Sequence, residues 1–415
     1  MGKQNEENDN QPEKKSTGQF PTLSRIDSVE EIGTQIGSYK LLSVLGEGGF
    51  GIVYRAEQKE PVRRQVALKV IKPGMDSKQV IARFESERQA LALLDHPNIA
   101  HIFDGGTTES GRPYFVMELV KGQPITEYCD EQKLGIEERL DLFRQICEAV
   151  QHAHQKGIIH RDIKPSNILV TAQGGKPLPM IIDFGVAKAV SQPLTERTLF
   201  TEQGQFIGTL EYMSPEQAGM AIQGIDTRSD IYSLGVVLYE LLTGTLPFSH
   251  DELGRAGFAE IQRIVRETDP PRPSTRLSSL GDEAKKVAEK RDTEANALVR
   301  RLHRELEWIP LKAMRKEPDR RYKTASELAD DVRNYLNGDP LTAGPESKSY
   351  RLKKTINRHR VVVSAVAAVV IVLAGGIVVS AIFASRAVKA EKAERSQRIA
   401  LADFVQLFTV RLGLC

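Results

Sequence analysis

Short apolar runs punctuated by glycine mark the first patterned part of the chain. Tyr39-Lys-Leu-Leu-Ser-Val-Leu45, Ile52-Val-Tyr54 and Val66-Ala-Leu-Lys-Val-Ile71 alternate β-branched or aromatic residues with polar ones between turn residues, which predicts strands. Over residues 77–94, Val80, Phe84, Leu91 and Leu94 are spaced to share one helical face, and residues 114–120 read as a further strand. From 136 to 336 the helical period dominates between glycine- and proline-rich loops, with no internal repeat. The pattern predicts an α+β chain in which a small β-rich lobe (about 39–120) precedes a larger helical lobe (about 121–337). Two stretches stand outside it. Residues 1–38 are rich in Gln, Asn, Glu, Lys and Ser and poor in large apolar side chains, so they predict a disordered tail. Residues 338–360 form a linker that ends in a basic run, and residues 361–384 then carry no charge at all. As a helix that stretch would reach about 36 Å, enough for one membrane crossing, which leaves 385–415 as a short tail on the far side.

Charge and cysteine content narrow the classes. Lys+Arg number 57 against 55 Asp+Glu, a formal net charge of +2, so no global basic field points to nucleic acid. Cys129, Cys147 and Cys415 are too few and too scattered for a disulfide framework or a zinc site. The polar first residues predict no cleavable secretory signal. Charge does not orient the apolar segment, because Arg351, Lys353, Lys354, Arg358 and Arg360 precede it while Arg386, Lys389, Lys392, Arg395 and Arg398 follow it.

The chemistry lies in an ordered series of motifs. Gly46-Glu47-Gly48-Gly49-Phe50-Gly51-Ile-Val53 has a glycine spacing shared with dinucleotide-binding turns, but here the glycines lie between two strands rather than between a strand and a helix. Glycines there let backbone amides approach phosphates without a Cβ. Lys69, in Val66-Ala67-Leu-Lys69, sits in an apolar strand where an unpaired ammonium would be costly, and Glu87, with Glu85 as rival, could hold it. Then come Ile159-His160-Arg161-Asp162-Ile-Lys164-Pro-Ser-Asn167 and Ile181-Ile-Asp183-Phe184-Gly185. Gly208-Thr209, Ser214-Pro-Glu216, Asp226 to Gly235 and Arg321 follow in order.

This series resembles the eukaryotic-like, Hanks-type serine/threonine protein kinases of bacteria, over about residues 39–337. The resemblance implies a bilobal kinase fold that uses ATP and Mg²⁺ to phosphorylate Ser and Thr hydroxyls of proteins. It makes Asp162 the proton acceptor, Lys164 the partner of the γ-phosphate and Lys69 the partner of the α- and β-phosphates, with Asn167 and Asp183 holding the metal. The glycine loop with Val53, Ala67, Met117, Glu118 and Val120 would enclose the nucleotide, Met117 as gatekeeper and Glu118 and Val120 addressing adenine through their backbone. Asp230 would brace the catalytic loop, and Arg321 would pair with Glu216. Arg161 would take up a phosphate on the activation segment, with Thr201 favoured over Thr198, whereas Thr209 would contact Asp162 and Lys164 instead. An insert at about 249–304 and the basic run before the apolar segment look like receptor-type kinases of planctomycetes and related bacteria. A single-pass protein with a cytoplasmic kinase domain is thereby implied, as is a homodimer through that domain or through the membrane helix. A pseudokinase scaffold is the alternative, as is a small-molecule phosphotransferase of related fold.

Overall fold

The computed structural model describes residues 30–48, 51–72, 89, 91–184, 210–219, 225–249, 258–345, 347, 349–350, 352, 354 and 360–411. The chain divides into two units, Met1–Arg333 and Asn334–Cys415.

In the first unit, strands β1 (Gln35–Ile36), β2 (Tyr39–Glu47), β3 (Gly51–Gln58), β4 (Arg64–Ile71), β5 (Ile102–Thr107) and β6 (Pro113–Glu118) form an antiparallel sheet in the order β1-β2-β3-β4-β6-β5. The alternating apolar positions explain it: Tyr39, Leu41, Tyr54, Val66, Leu68 and Val116 bury together as one core. Register then sets the site, since Val53 lies opposite Lys69 and Met117 opposite Ala67. Because side chains two apart along a strand share a face, Val53, Ala67, Lys69 and Met117 line the same side of the sheet.

The following lobe contains α1 (Ile125–Glu131) and α2 (Ile136–Gln155), and it departs from the helical expectation at one place. A short β7 (Gln123–Pro124) pairs with β8 (Ile168–Gln173), which pairs with β9 (Lys176–Ile181). Gly174 and Gly175 turn this hairpin at φ 58° and 79°, the positive-φ pair that a two-residue hairpin turn requires. Strand β5, which contains Gly105 and Gly106, was equally absent from the sequence expectation. After α3 (Pro215–Ala218), helix α4 (Thr227–Thr243) is buried all round except at a few positions, as a helix apolar on every face must be. Gly235 permits this: a Cβ there would lie 2.7 Å from Ala313 Cβ and 2.9 Å from Met314 Cγ.

The stretch expected to be an insert carries helices that bury apolar residues in this lobe. It forms α5 (Phe258–Glu267), α6 (Pro273–Ser279), α7 (Glu283–Glu289) and α8 (Ala295–Arg301), burying Leu277, Ala288 and Leu298. Behind α7, buried Arg291 donates to the carbonyls of Glu240, Leu241 and Leu242, so it caps the C-terminal end of α4. Burial, reinforced by neighbouring Arg139, pushes the Arg291 guanidinium down to about 9. Helices α9 (Trp308–Ala313) and α10 (Ala325–Asn337) complete the lobe's helical series.

The second unit contains α11 (Arg360–Arg411), a continuous helix of 52 residues, about 78 Å long. Its apolar portion reaches a mean hydropathy of 2.8 with none of that window buried, so by length and composition it can cross a membrane. The helix does not stop near residue 384 but runs on through the charged segment.

Candidate active site

The catalytic loop is held from beneath by α4. Asp230, 1% exposed, accepts from the backbone N–H groups of His160 and Arg161 at 2.8 Å each and from His154 Nε2 at 2.7 Å. Burial pushes its carboxyl pKa up, but the hydrogen bond and charge of His154, followed by His160, outweigh this and hold it below the usual carboxylate range. Buried His160 is kept neutral, burial lowering its pKa. Its Nδ1 accepts from Asp162 N at 3.2 Å, which places the proton on Nε2, facing the Ile182 carbonyl at 3.3 Å. Arg161 stands at φ 62°, a conformation non-glycine residues rarely hold, and Gln217 Nε2 donates to its carbonyl at 2.9 Å. This backbone presents Asp162. Asn167, on the 3₁₀ turn Pro165–Asn167, donates to the Asp162 carbonyl at 2.8 Å and to its Oδ2 at 3.1 Å, and Lys164 Nζ lies 3.1 Å from the same Oδ2.

The sheet supplies the other half. Lys69 Nζ, 11% exposed at its side chain, contacts both carboxylate oxygens of Asp183 at 2.5 and 2.6 Å. Asp183 also has positive φ, 57°, and next to it Phe184 is buried against the His160 ring with centroids 4.6 Å apart. Behind Lys69 lies a cavity of about 20 Å³, lined by Ala100, Phe115, Met117, Asp183 and Phe184 among others, with room for roughly one water. Met117 and Ala67 are buried, while Val53, Glu118 and Val120 are half-buried. Glu118 is additionally fixed by His101, which accepts from its N–H at 2.8 Å.

The glycines divide. A Cβ on Gly51 would lie 2.5 Å from the Val70 carbonyl, so Gly51 is demanded by strand packing; nothing lies within 4 Å of a Cβ on Gly46, and on Gly48 the nearest atom is at 3.9 Å. Glu47 is exposed and paired with Lys72 at 2.7 Å. Gly49, Phe50, Glu85, Glu87, Thr198, Thr201 and Thr209 lie outside the described residues.

Beyond the catalytic loop, Arg321 makes a bidentate pair with Glu216 at 2.7 and 2.8 Å, and Ser229 Oγ donates to Glu216 at 2.6 Å. Ser214 caps α3. The sequence reading missed His154, Gln217 and Ser229; each acts through a neighbour, and an isolated His, Gln or Ser carries no motif by which to find it.

An ammonium seated on a carboxylate, an Asp–Asn–Lys cluster across from it and a two-lobed frame define a protein kinase. The chain belongs to that family: the family model "Protein kinase domain" matches residues 39–327. It is similar to the serine/threonine-protein kinase Pkn1 of Myxococcus xanthus, 34% identical over 70% of this chain and 37% of the relative. It is similar also to PrkC of Bacillus subtilis (strain 168), 36% identical over 75% and 42%, and to PknB of Mycobacterium leprae (strain TN), 34% identical over 74% and 44%. The chain thus spans less than half the length of these curated relatives. Among solved structures, the Mycobacterium tuberculosis PknI kinase domain shares the fold with a TM-score of 0.51 at 24% identity, covering 74% of this chain and 99% of that one.

Proposed function

We propose that this chain transfers the γ-phosphoryl group of ATP to serine and threonine hydroxyls of proteins, from a domain tethered to the cytoplasmic face of a membrane. The observation that supports the reading is the Lys69–Asp183 pair beside the Asp162–Asn167–Lys164 cluster, the two loops joined where Ile182 N donates to the Asn167 carbonyl at 2.9 Å. Asp162 orients the attacking hydroxyl and takes its proton, while Lys164 beside it offsets charge on the transferred group. Lys69 engages the α- and β-phosphates, and the backbone at Glu118 and Val120 reads the adenine edge. The Asp183 carboxylate and the Asn167 amide oxygen suit Mg²⁺, a hard cation that needs only one or two protein ligands beside substrate phosphates. When bound, that ion neutralises phosphate charge. Asp183 stands at positive φ and Asn167 ends a short 3₁₀ turn, backbone settings that support this assignment.

The catalytic loop's Lys164 supports the Ser/Thr form, and the presence of Lys69, Asp162, Asn167 and Asp183 together argues against a binding-only scaffold. ATP is cytoplasmic, so the lobes belong inside and residues beyond 384 outside. Regulation would run through Arg161, whose Nε is buried with no hydrogen-bond partner among the described residues. A phosphate on Thr201, or on Thr198, would supply its anion. The test is phosphoamino-acid mapping of the full chain and an added protein substrate after incubation with Mg-ATP. Phosphoserine and phosphothreonine are expected; label on tyrosine alone, or none, contradicts the reading. Replacement of both Thr198 and Thr201 by Ala at full activity would remove the Arg161 switch.

A further inference from the structure

Between α9 and α10, Lys316 turns its ammonium inward. Its Nζ donates to the Val265 carbonyl at 2.6 Å and lies 5.1 Å from the centre of the Phe248 ring and 5.7 Å from that of Tyr232. Val265 stands in the last turn of α5, where carbonyls lack partners within the helix, so Lys316 supplies both a donor and the charge that a helix C-terminus favours. The seat is costly. Burial pushes the Lys316 pKa down to about 8, with Asp269 opposing and Arg321 reinforcing the shift. A lysine with no task here would extend its stem and leave the charge in water.

Two routes lead from this residue to one short helix. Through its side chain Lys316 holds α5, which buries Ile261 and Val265 with Leu210, Ala218 and Phe248 and whose Gln262 Nε2 donates to the Ala218 carbonyl at 2.6 Å. Through its backbone carbonyl it accepts from Arg321 Nη2 at 3.0 Å, and Arg321 in turn grips Glu216. Glu216 and Ala218 both belong to α3, so Lys316 stands behind two supports of that helix. Between them, Gln217 donates to the Arg161 carbonyl, one residue before Asp162. Val53, Lys69 and Met117, read as nucleotide partners, lie elsewhere, on β3, β4 and β6.

We propose that Lys316 is a positioning residue for the protein acceptor: by tying α5 and Arg321 together it fixes residues 210–218, the seat against which the acceptor chain lies beside Asp162. This role rests on the reading that protein hydroxyls are the acceptors of the site.

Steady-state kinetics of the full chain with one protein substrate test it. Lys316→Met keeps an unbranched stem but removes donor and charge, so kcat/KM for the protein should fall about tenfold while the KM for ATP stays within about twofold. Removing a buried cation also removes its desolvation cost, so the unfolding midpoint should hold or rise, whereas a merely structural lysine would lower it. The titratable and charged groups facing Lys316 are Asp269, Arg321 and Tyr232, and burial pushes the Tyr232 phenol up, so it stays neutral near pH 8. The wild-type KM for the protein should therefore climb as pH rises through about 8 and the ammonium is lost, and that of Lys316→Met should be flat there. Gln262→Leu cuts the same route one step on, so the double variant should lie within about twofold of the worse single one. Should Lys316→Met fail to fold, Gln262→Leu alone must still lower kcat/KM for the protein at an unchanged KM for ATP. Wild-type kinetics in both variants, an equal rise in the KM for ATP, a lower midpoint, a flat wild-type pH profile or full additivity would overturn the role of Lys316. Absence of transfer to protein by the wild type would instead contradict the proposed function.

Discussion

The two halves of the cleft are secured in different ways. The catalytic-loop half is preorganised from below: Asp230 takes three donors inside the protein, and His160, Asn167 and Gln217 fix the backbone on either side of Asp162. The nucleotide half depends on strand register and on one ion pair, Lys69 with Asp183, which joins residues 114 positions apart. Buried hydrogen bonds hold the first half in one geometry, whereas the second keeps exposed strand residues such as Val44 and Leu45 at 47% and 50%. A site that must admit and release a nucleotide can be rigid at the reacting atoms and open where the cosubstrate enters.

The largest way to break this comparison acts on the nucleotide half alone. Lys69→Met keeps the side-chain length in an apolar strand but removes the cation, so transfer should fall by about 10²-fold or more in steady-state assays while thermal unfolding changes little. An unfolding midpoint that dropped along with activity would mean that the ion pair is structural. On the other half, Arg321→Ala would leave Glu216 without its buried cation and should cost about 3–5 kcal/mol in denaturant unfolding. Burial raises the Glu216 pKa, but the Arg321 hydrogen bonds and charge and the Ser229 bond lower it further, so the net direction is down. The folded pKa is depressed, so this stabilisation is present above the unfolded carboxyl value near about 4.3 and is lost as pH falls through the folded one. Wild type and Arg321→Ala should therefore converge in stability as pH falls through that depressed pKa. A gap that persisted there would assign the loss to packing.

A somewhat smaller effect is expected for Asp230→Asn, which puts an amide NH₂ or a single carbonyl where a carboxylate accepts three donors. Loss of charge-assisted hydrogen bonds should cost about 1.5–3 kcal/mol and should lower kcat more than the KM for ATP, because Asp162 and not the nucleotide site is loosened. An effect confined to KM would contradict the division. The smallest effect sharpens the glycine loop. Gly51→Ala meets the Val70 carbonyl and should cost about 1–3 kcal/mol of stability, whereas Gly48→Ala fits the folded backbone and should raise the KM for ATP with an unchanged unfolding midpoint.

Much of this was legible before any coordinates, for a physical reason. The roles proposed for Asp162, Asn167 and Asp183 rest on their own side chains within short loops, so residue type and spacing expose them. The supports were not legible, because His154, Gln217 and Ser229 work through contacts 76, 56 and 13 positions away. The β8–β9 hairpin hid within a helical stretch, although Gly174-Gly175 between two apolar runs was its signal. Strand β5 hid behind Gly105-Gly106, where a Cβ on Gly106 would meet the Tyr114 hydroxyl at 2.9 Å. The place of Arg291 was likewise not legible, because it shows only when its donors reach the end of α4.

The central claim, that Asp162 is the proton acceptor of a working phosphoryl-transfer site, is tested most directly by comparing the full chain with Asp162→Asn in two assays on the same samples: equilibrium ATP binding and phosphate incorporation into protein hydroxyls with Mg-ATP. The account predicts unchanged binding and incorporation reduced by about 10²-fold or more; near-normal incorporation by Asp162→Asn would contradict it.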